Sequence, residues 1–172
     1  MSSITVSSVV VGIILAGAPA FGSQQSKNAV PQAPVPAQII SGKRVFISNA
    51  GEESKSFAVG PLLSGKSDRV YNQFYAAMKQ WGRYELVSAP ADADLVFEIG
   101  FTINSSGQFP EFGHLRTAIR DPKTNVLLWT FIEYADSAVR QGNRDKNLDH
   151  AMGMIVDELK DLVNQSGGTA KP

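Results

Sequence analysis

The stretch Asp94–Asn104, DLVFEIGFTIN, constrains the fold of this chain more than any other. Apolar Leu95, Phe97, Ile99, Phe101 and Ile103 alternate there with Val96, Glu98, Gly100, Thr102 and Asn104. Successive side chains of a strand point to opposite faces, so this run predicts a half-buried strand with one face on a core. A sheet with one wet face is typically antiparallel. His114–Arg120 alternates again, with Leu115, Thr117 and Ile119 inward and His114, Arg116, Ala118 and Arg120 outward. Two such strands need neighbours and an apolar layer to cover their inner face.

Two helical patterns supply that layer. In Ser67–Trp81, residues Val70, Phe74, Ala77, Met78 and Trp81 fall on one stripe of a 3.6-residue helix. Ser67 or Asp68 is placed to cap its start, and Gly82 follows as a stop. In Leu148–Val163 the stripe is Ala151, Met152, Ile155, Val156, Leu159, Leu162 and Val163, with Asn147 as the expected cap. Lys43–Ala50 and Tyr84–Val87 read as short strands. Val126–Tyr134, VLLWTFIEY, is apolar on both faces, which predicts a central strand or one whose second face meets another body. Gly51–Lys66, Asn104–Gly113 and Ala135–Asn147 read as loops, Ala89–Ala93 as a turn around Pro90, and Asp121–Asn125 as a turn with Pro in its second position. The expected fold is α+β: a two-layer sandwich of a four- to five-stranded, mostly antiparallel sheet with two helices on one face.

The N-terminal part has a different character. None of the 32 charged residues lies in residues 1–26. Residues 1–22, MSSITVSSVVVGIILAGAPAFG, hold an apolar run shorter than the roughly 20 residues a membrane span needs, and small residues follow it. That pattern predicts a signal peptide cut between Ala20 and Gly22, although the usual Lys or Arg before the apolar run is missing. The rival readings are an uncleaved anchor or a buried strand. Residues 23–38 form a Pro-rich linker, with Pro31, Pro34 and Pro36 favouring an extended spacer over a recognition motif. Residues 39–163 are expected to fold as one domain, about 125 residues being enough for a single core. Residues 164–172 read as a disordered tail. The expected location is periplasmic or extracellular.

Composition narrows the chemistry. Lys plus Arg number 16 and Asp plus Glu number 16, so the net charge of zero excludes a generalised nucleic-acid binder. With no Cys, there is no disulfide framework, thiolate nucleophile or lipidated-Cys anchor. Gly60–Ser67, GPLLSGKS, formally meets the phosphate-loop spacing. However, Lys55–Val59 is a poor strand to feed it, and Pro61 removes a backbone donor, so the match is read as fortuitous. His114 reads as a loop-end histidine near Glu111. Asp145 and Asp149, beside His150, read as acids favoured at a helix start rather than as a cation site. Glu98 with Arg116 or Arg120 reads as a cross-strand ion pair. No catalytic residue, metal ligand or cofactor is expected. Phe109 and Phe112 in a polar loop, and Trp129 and Phe131 on one face of an apolar strand, are the candidate partner contacts.

Three segments carry a resemblance: the helix ending in WGRYELV, the run PADADLVFEI, and RDPKTNVLLWTF leading through GNRDKNLD to the last helix. Together they resemble small exported bacterial envelope proteins of uncharacterised function. More distantly, they resemble the α/β domain of the curli-secretion protein CsgG and the N-terminal domain of TolB. The resemblance covers Lys43 to Val163 and implies an envelope accessory domain. Pore formation does not carry over, because the lipidated Cys and long amphipathic pore strands are missing. The propeller that follows the TolB domain is likewise missing. The function expected is a non-enzymatic domain that binds an unidentified envelope protein or a second copy of itself. The alternative is a small hydrolase or ligand-binding protein using the open sheet face through Glu98, Arg116 or His114.

Overall fold

A single apolar layer, squeezed between five strands and two long helices, organises the molecule. The computed structural model describes residues 33–54, 63–104 and 112–165. All but Ala33 belong to one compact unit. The elements in order are α1 (Ala37–Ser41), β1 (Arg44–Ser54), α2 (Arg69–Trp81), β2 (Glu85–Val87), a 3-10 turn (Pro90–Asp92), β3 (Leu95–Asn104), β4 (Phe112–Arg120), β5 (Leu127–Asp136) and α3 (Gln141–Gln165). The sheet order is β2-β1-β3-β4-β5. The α+β class, the mostly antiparallel five-stranded sheet and the two covering helices match the expectation from sequence.

Pairing is antiparallel between β3, β4 and β5, with nine register pairs in each ladder. β1 is parallel to both of its neighbours, with nine pairs to β3 and three to β2. The parallel arrangement follows from connectivity, since α2 links β1 to β2 as a crossover that returns the chain to the same end of the sheet.

The alternation in β3 is realised as read: Leu95, Phe97, Ile99 and Phe101 are buried. They meet Val70, Phe74 and Met78 of α2 and Leu148, Ile155 and Leu159 of α3 in one cluster. Gly82 ends α2 in the left-handed conformation, with its N–H on the Met78 carbonyl. Asp68 occupies the cap position of α2, but its side chain makes no capping bond. Behind α2, the Tyr84 hydroxyl donates to the Ile39 carbonyl at 3.1 Å, and its ring stands edge-on to Phe97.

The acidic turns are local staples. Asp94 Oδ2 accepts the N–H groups of Lys43 and Arg44, both at 3.0 Å. These two amides, chiefly, hold the Asp94 carboxyl below the usual range. Asp121 Oδ1 accepts the Lys123 N–H at 2.9 Å while its Oδ2 accepts the Thr124 hydroxyl. Asn125 then takes φ 58°, a value that Asn tolerates better than most residues.

Three expectations are corrected. β1 does not stop at Ala50: it passes a register shift between Asn49 and Gly51 and continues to Ser54. Of the two readings of Val126–Tyr134, the central strand falls: as β5 it pairs with β4 alone and forms the sheet edge. The last helix begins at Gln141, before its apolar stripe, so Asn147 lies inside it and is no cap. Side-chain hydrogen bonds to the preceding segment hold those early turns: Asn147 Nδ2 donates to the Asp136 carbonyl at 2.7 Å, and Arg144 Nη1 donates to the carbonyls of Ala138 and Val139.

Candidate functional site

The sheet presents two unequal faces. α2 and α3 cover one; among the described residues no helix or strand covers the other. Register aligns the outer side chains of β3, β4 and β5 in rows. One row holds Thr102, His114 and Tyr134; the next Gly100, Arg116 and Ile132; the third Glu98, Ala118 and Thr130. The His114 and Tyr134 rings meet edge-to-face, with centroids 4.8 Å apart.

Two features of this face could serve binding. The first is the β5 edge. Ile132 is 46% exposed and Tyr134 60%, and Val126 and Leu127 are exposed where the strand begins. Edge strands are commonly blunted by Lys, Pro or a covering element; β5 contains neither Lys nor Pro. On its helix side, the Glu133 carboxyl hydrogen-bonds that of Glu158 from α3. Partial burial first, then the bond to Glu133 and its charge, raise the Glu158 carboxyl above the usual range.

The second is a polar recess of about 310 Å³ lined by Ala50, Gly51, Glu98, Gly100, Phe101, Thr102 and Arg116. Its floor is backbone, because Gly100 contributes no side chain and the register shift at β1 falls beside it. Glu98 Oε2 accepts from Arg120 Nε at 3.1 Å, and Arg120 Nη1 also donates to the Asn125 carbonyl. The cross-strand pair expected of Glu98 is therefore made with Arg120 and not with Arg116.

The remaining sequence candidates fall elsewhere. Phe109 and Glu111 lie outside the described residues, and of Phe112 only the backbone, at the start of β4, is described. Trp129 and Phe131 point to the helix side; Phe131 is 8% exposed and belongs to the core, and Trp129 packs against it. Of the two expected partner contacts, Phe131 is buried in the core and Trp129 is half-buried at its margin. The apolar side chains of β5 that face away from the helices include Ile132 and Tyr134, since α3 claims the opposite alternation. His150 is exposed on α3.

Asp145 and Asp149 do receive a cation, but it is a side chain. Arg69 Nη1 stands 2.6 Å from Asp145 Oδ1, and its Nη2 2.7 Å from Asp149 Oδ1. Ser64 N–H donates to the same Asp145 oxygen at 2.9 Å. Within the phosphate-loop match, Gly60, Pro61 and Leu62 lie outside the described residues. The Ser64 amide just after them is already committed to an internal carboxylate, which removes a donor that a phosphate would need. Among the described residues no cluster of three or more acidic or histidine side chains is placed to hold a metal. No described helix is long and apolar enough to cross a membrane.

No family model matches the chain, and no curated protein matches it. Among solved structures, the chain is similar to the PelC dodecamer from Paraburkholderia phytofirmans, at 11% identity and TM-score 0.43, over 74% of this chain and 90% of that one. It is similar to a putative neuraminyllactose-binding hemagglutinin homolog from Helicobacter pylori, at 10% identity and TM-score 0.46, over 79% and 96% of the two chains. It is also similar to the lipoprotein GNA1162 from Neisseria meningitidis, at 15% identity and TM-score 0.37, over 74% and 99%.

Proposed function

We propose that this chain is an exported, non-enzymatic accessory domain of the bacterial envelope that works by binding another protein. The observation that carries the reading is β5: a ten-residue strand paired on one side only, with Ile132 and Tyr134 turned to solvent. An extended partner segment can complete its unpaired backbone groups, while the alternate side chains supply selectivity. The uncharged head at residues 1–22, the Pro-rich stretch that precedes α1 and the resemblance of Lys43–Val163 to exported envelope domains support the compartment. Phe109 and Phe112 remain proposed contacts. Half-buried Trp129 remains one as well, while Phe131 lies in the core.

A hydrolase on the open face is less well supported. Glu98 is engaged by Arg120, and His114 lies in a different row against Tyr134. Neither is paired with a nucleophile among the described residues.

The test is capture from envelope extract with the full mature chain carrying a photo-crosslinker at Tyr134. A discrete crosslinked protein, lost when Ile132 is replaced by Lys, supports the reading. Capture indifferent to Ile132→Lys moves the contact away from β5, and absence of any specific product overturns the protein-binding function. Mass spectrometry of the mature N-terminus checks export, since a retained Met1 contradicts cleavage.

A further inference from the structure

We infer that the recess over Gly100 binds a small monocarboxylate bearing a hydrogen-bond donor next to its carboxylate, with the Arg116 guanidinium as its anchor. Strand β5 forms no wall of this recess, so the inference goes beyond the protein-docking edge and stands or falls separately.

The charge pattern of the outer face is incomplete. Glu98 stands opposite Ala118, which places Arg116 and Arg120 on its two diagonals, both within reach of long side chains. Glu98 takes Arg120 at 3.1 Å. Arg116 makes no ion pair or hydrogen bond among the described residues. One carboxylate thus lies between two guanidiniums and engages only Arg120, so the charge of Arg116 calls for a second anion.

The space for that anion lies directly across from Arg116. Its register partner is Gly100, so no side chain opposes the guanidinium. A Cβ at Gly100 would stand 3.0 Å from the Cβ of Ala50, so the floor stays open because this position is glycine. The volume of about 310 Å³ admits a single small organic acid rather than a large ligand.

The walls set the rest of the chemistry. A planar guanidinium with a fork of donors matches a carboxylate in a bidentate pair. The Thr102 hydroxyl can donate or accept, and Glu98 can only accept, with lone pairs that Arg120 does not use. A ligand that places an N–H or O–H beside its carboxylate meets both walls at once. Two sources share that chemistry: a free α-hydroxy acid and the C-terminal end of a peptide.

The test is a titration of the full mature chain, followed by amide and Arg side-chain N–H resonances, with lactate and with N-acetylalanine. Saturable shifts at Gly100, Thr102 and Arg116 are expected with at least one acid. Stronger binding of lactate assigns a free hydroxy acid, and stronger binding of N-acetylalanine assigns a peptide end; both support the site. Arg116→Gln, at an exposed position, leaves the amide spectrum folded and weakens binding about tenfold or more, since a charge-assisted pair is lost. Arg116→Lys restores only part of it, keeping the charge without the fork. Thr102→Val weakens binding roughly threefold. The proposal is overturned if neither acid gives saturable shifts there, if the neutral N-acetylalaninamide gives the same shifts, or if Arg116→Gln leaves them unchanged.

Discussion

Arg69 and Asp145 are 76 residues apart in sequence, yet Nη1 of one lies 2.6 Å from Oδ1 of the other. The contact ties the first residue of α2 to the early turns of α3, and Asp149 extends it with a second bond to Nη2. Both partners of the first bond are largely buried side chains. Replacing Arg69 by Ala should cost about 2–3 kcal/mol in chemical denaturation, because two acids lose a charged donor. Asp149→Ala, at the more exposed end, should cost less than about 1 kcal/mol. Equal costs would contradict the burial difference.

The same contact sets an acid limit. Burial pushes the Asp145 carboxyl up, but the Ser64 amide and hydroxyl with Arg69 outweigh it, holding the carboxyl below the usual range. A carboxyl depressed in the folded state contributes its full stability above its unfolded value of about pH 4. That contribution is lost as pH falls through the lower folded value. Asp145→Asn should therefore lower the melting temperature at neutral pH and shrink its acid dependence below about pH 4. An unchanged acid limb in thermal melts would contradict this assignment.

Glu158 predicts the opposite sign. Its carboxyl is raised in the folded state by partial burial and by Glu133, so ionisation near neutral pH opposes folding. Glu158→Gln should raise the melting temperature slightly at neutral pH, and the gain should vanish as pH falls through the carboxylate range. A loss of stability at neutral pH would show that the pair is held by a contact that needs the charge.

Gly113 tests packing at the start of β4. A Cβ there would overlap the ring of Phe101, which is itself buried. Gly113→Ala should cost about 1–3 kcal/mol through overpacking. Gly142→Ala, where a Cβ meets nothing, should be neutral or stabilising. The comparison is made by urea unfolding of the two variants side by side.

Adjacent residues of β5 test which face is which. Phe131→Ala should cost about 3–5 kcal/mol, since the ring belongs to the core. Ile132→Lys should stay within about 0.5 kcal/mol, since its side chain already faces water. A reversed order would mean that α3 covers the other face of the strand.

How far the sequence was legible depended on whether a signal was local. The alternation in β3 and β4 named the core-facing residues because a buried face must repeat every second residue. Gly82 marked the end of α2 because a left-handed stop favours glycine. The core side of β5 could not be told from its outer side because VLLWTFIEY is apolar on both, and such a run reads alike at the centre of a sheet and at a bare edge. The first turns of α3 were missed because residues 141–147 offer no apolar stripe; the Arg144 and Asn147 side chains tie those turns to the carbonyls of Ala138, Val139 and Asp136.

The chain by itself determined a two-layer α+β domain, through periodicities that only a half-covered sheet and two covering helices can satisfy together. It also marked Glu98 as one half of an ion pair, since an acid flanked by outward arginines on a neighbouring strand has an evident partner. Register decided the rest. It gave Arg120 to Glu98 and left Arg116 facing Gly100, brought Arg69 to two acids more than 70 positions away, and put β5 at the edge. These are relations between distant segments, fixed by which strand lies beside which, and no local periodicity encodes that choice.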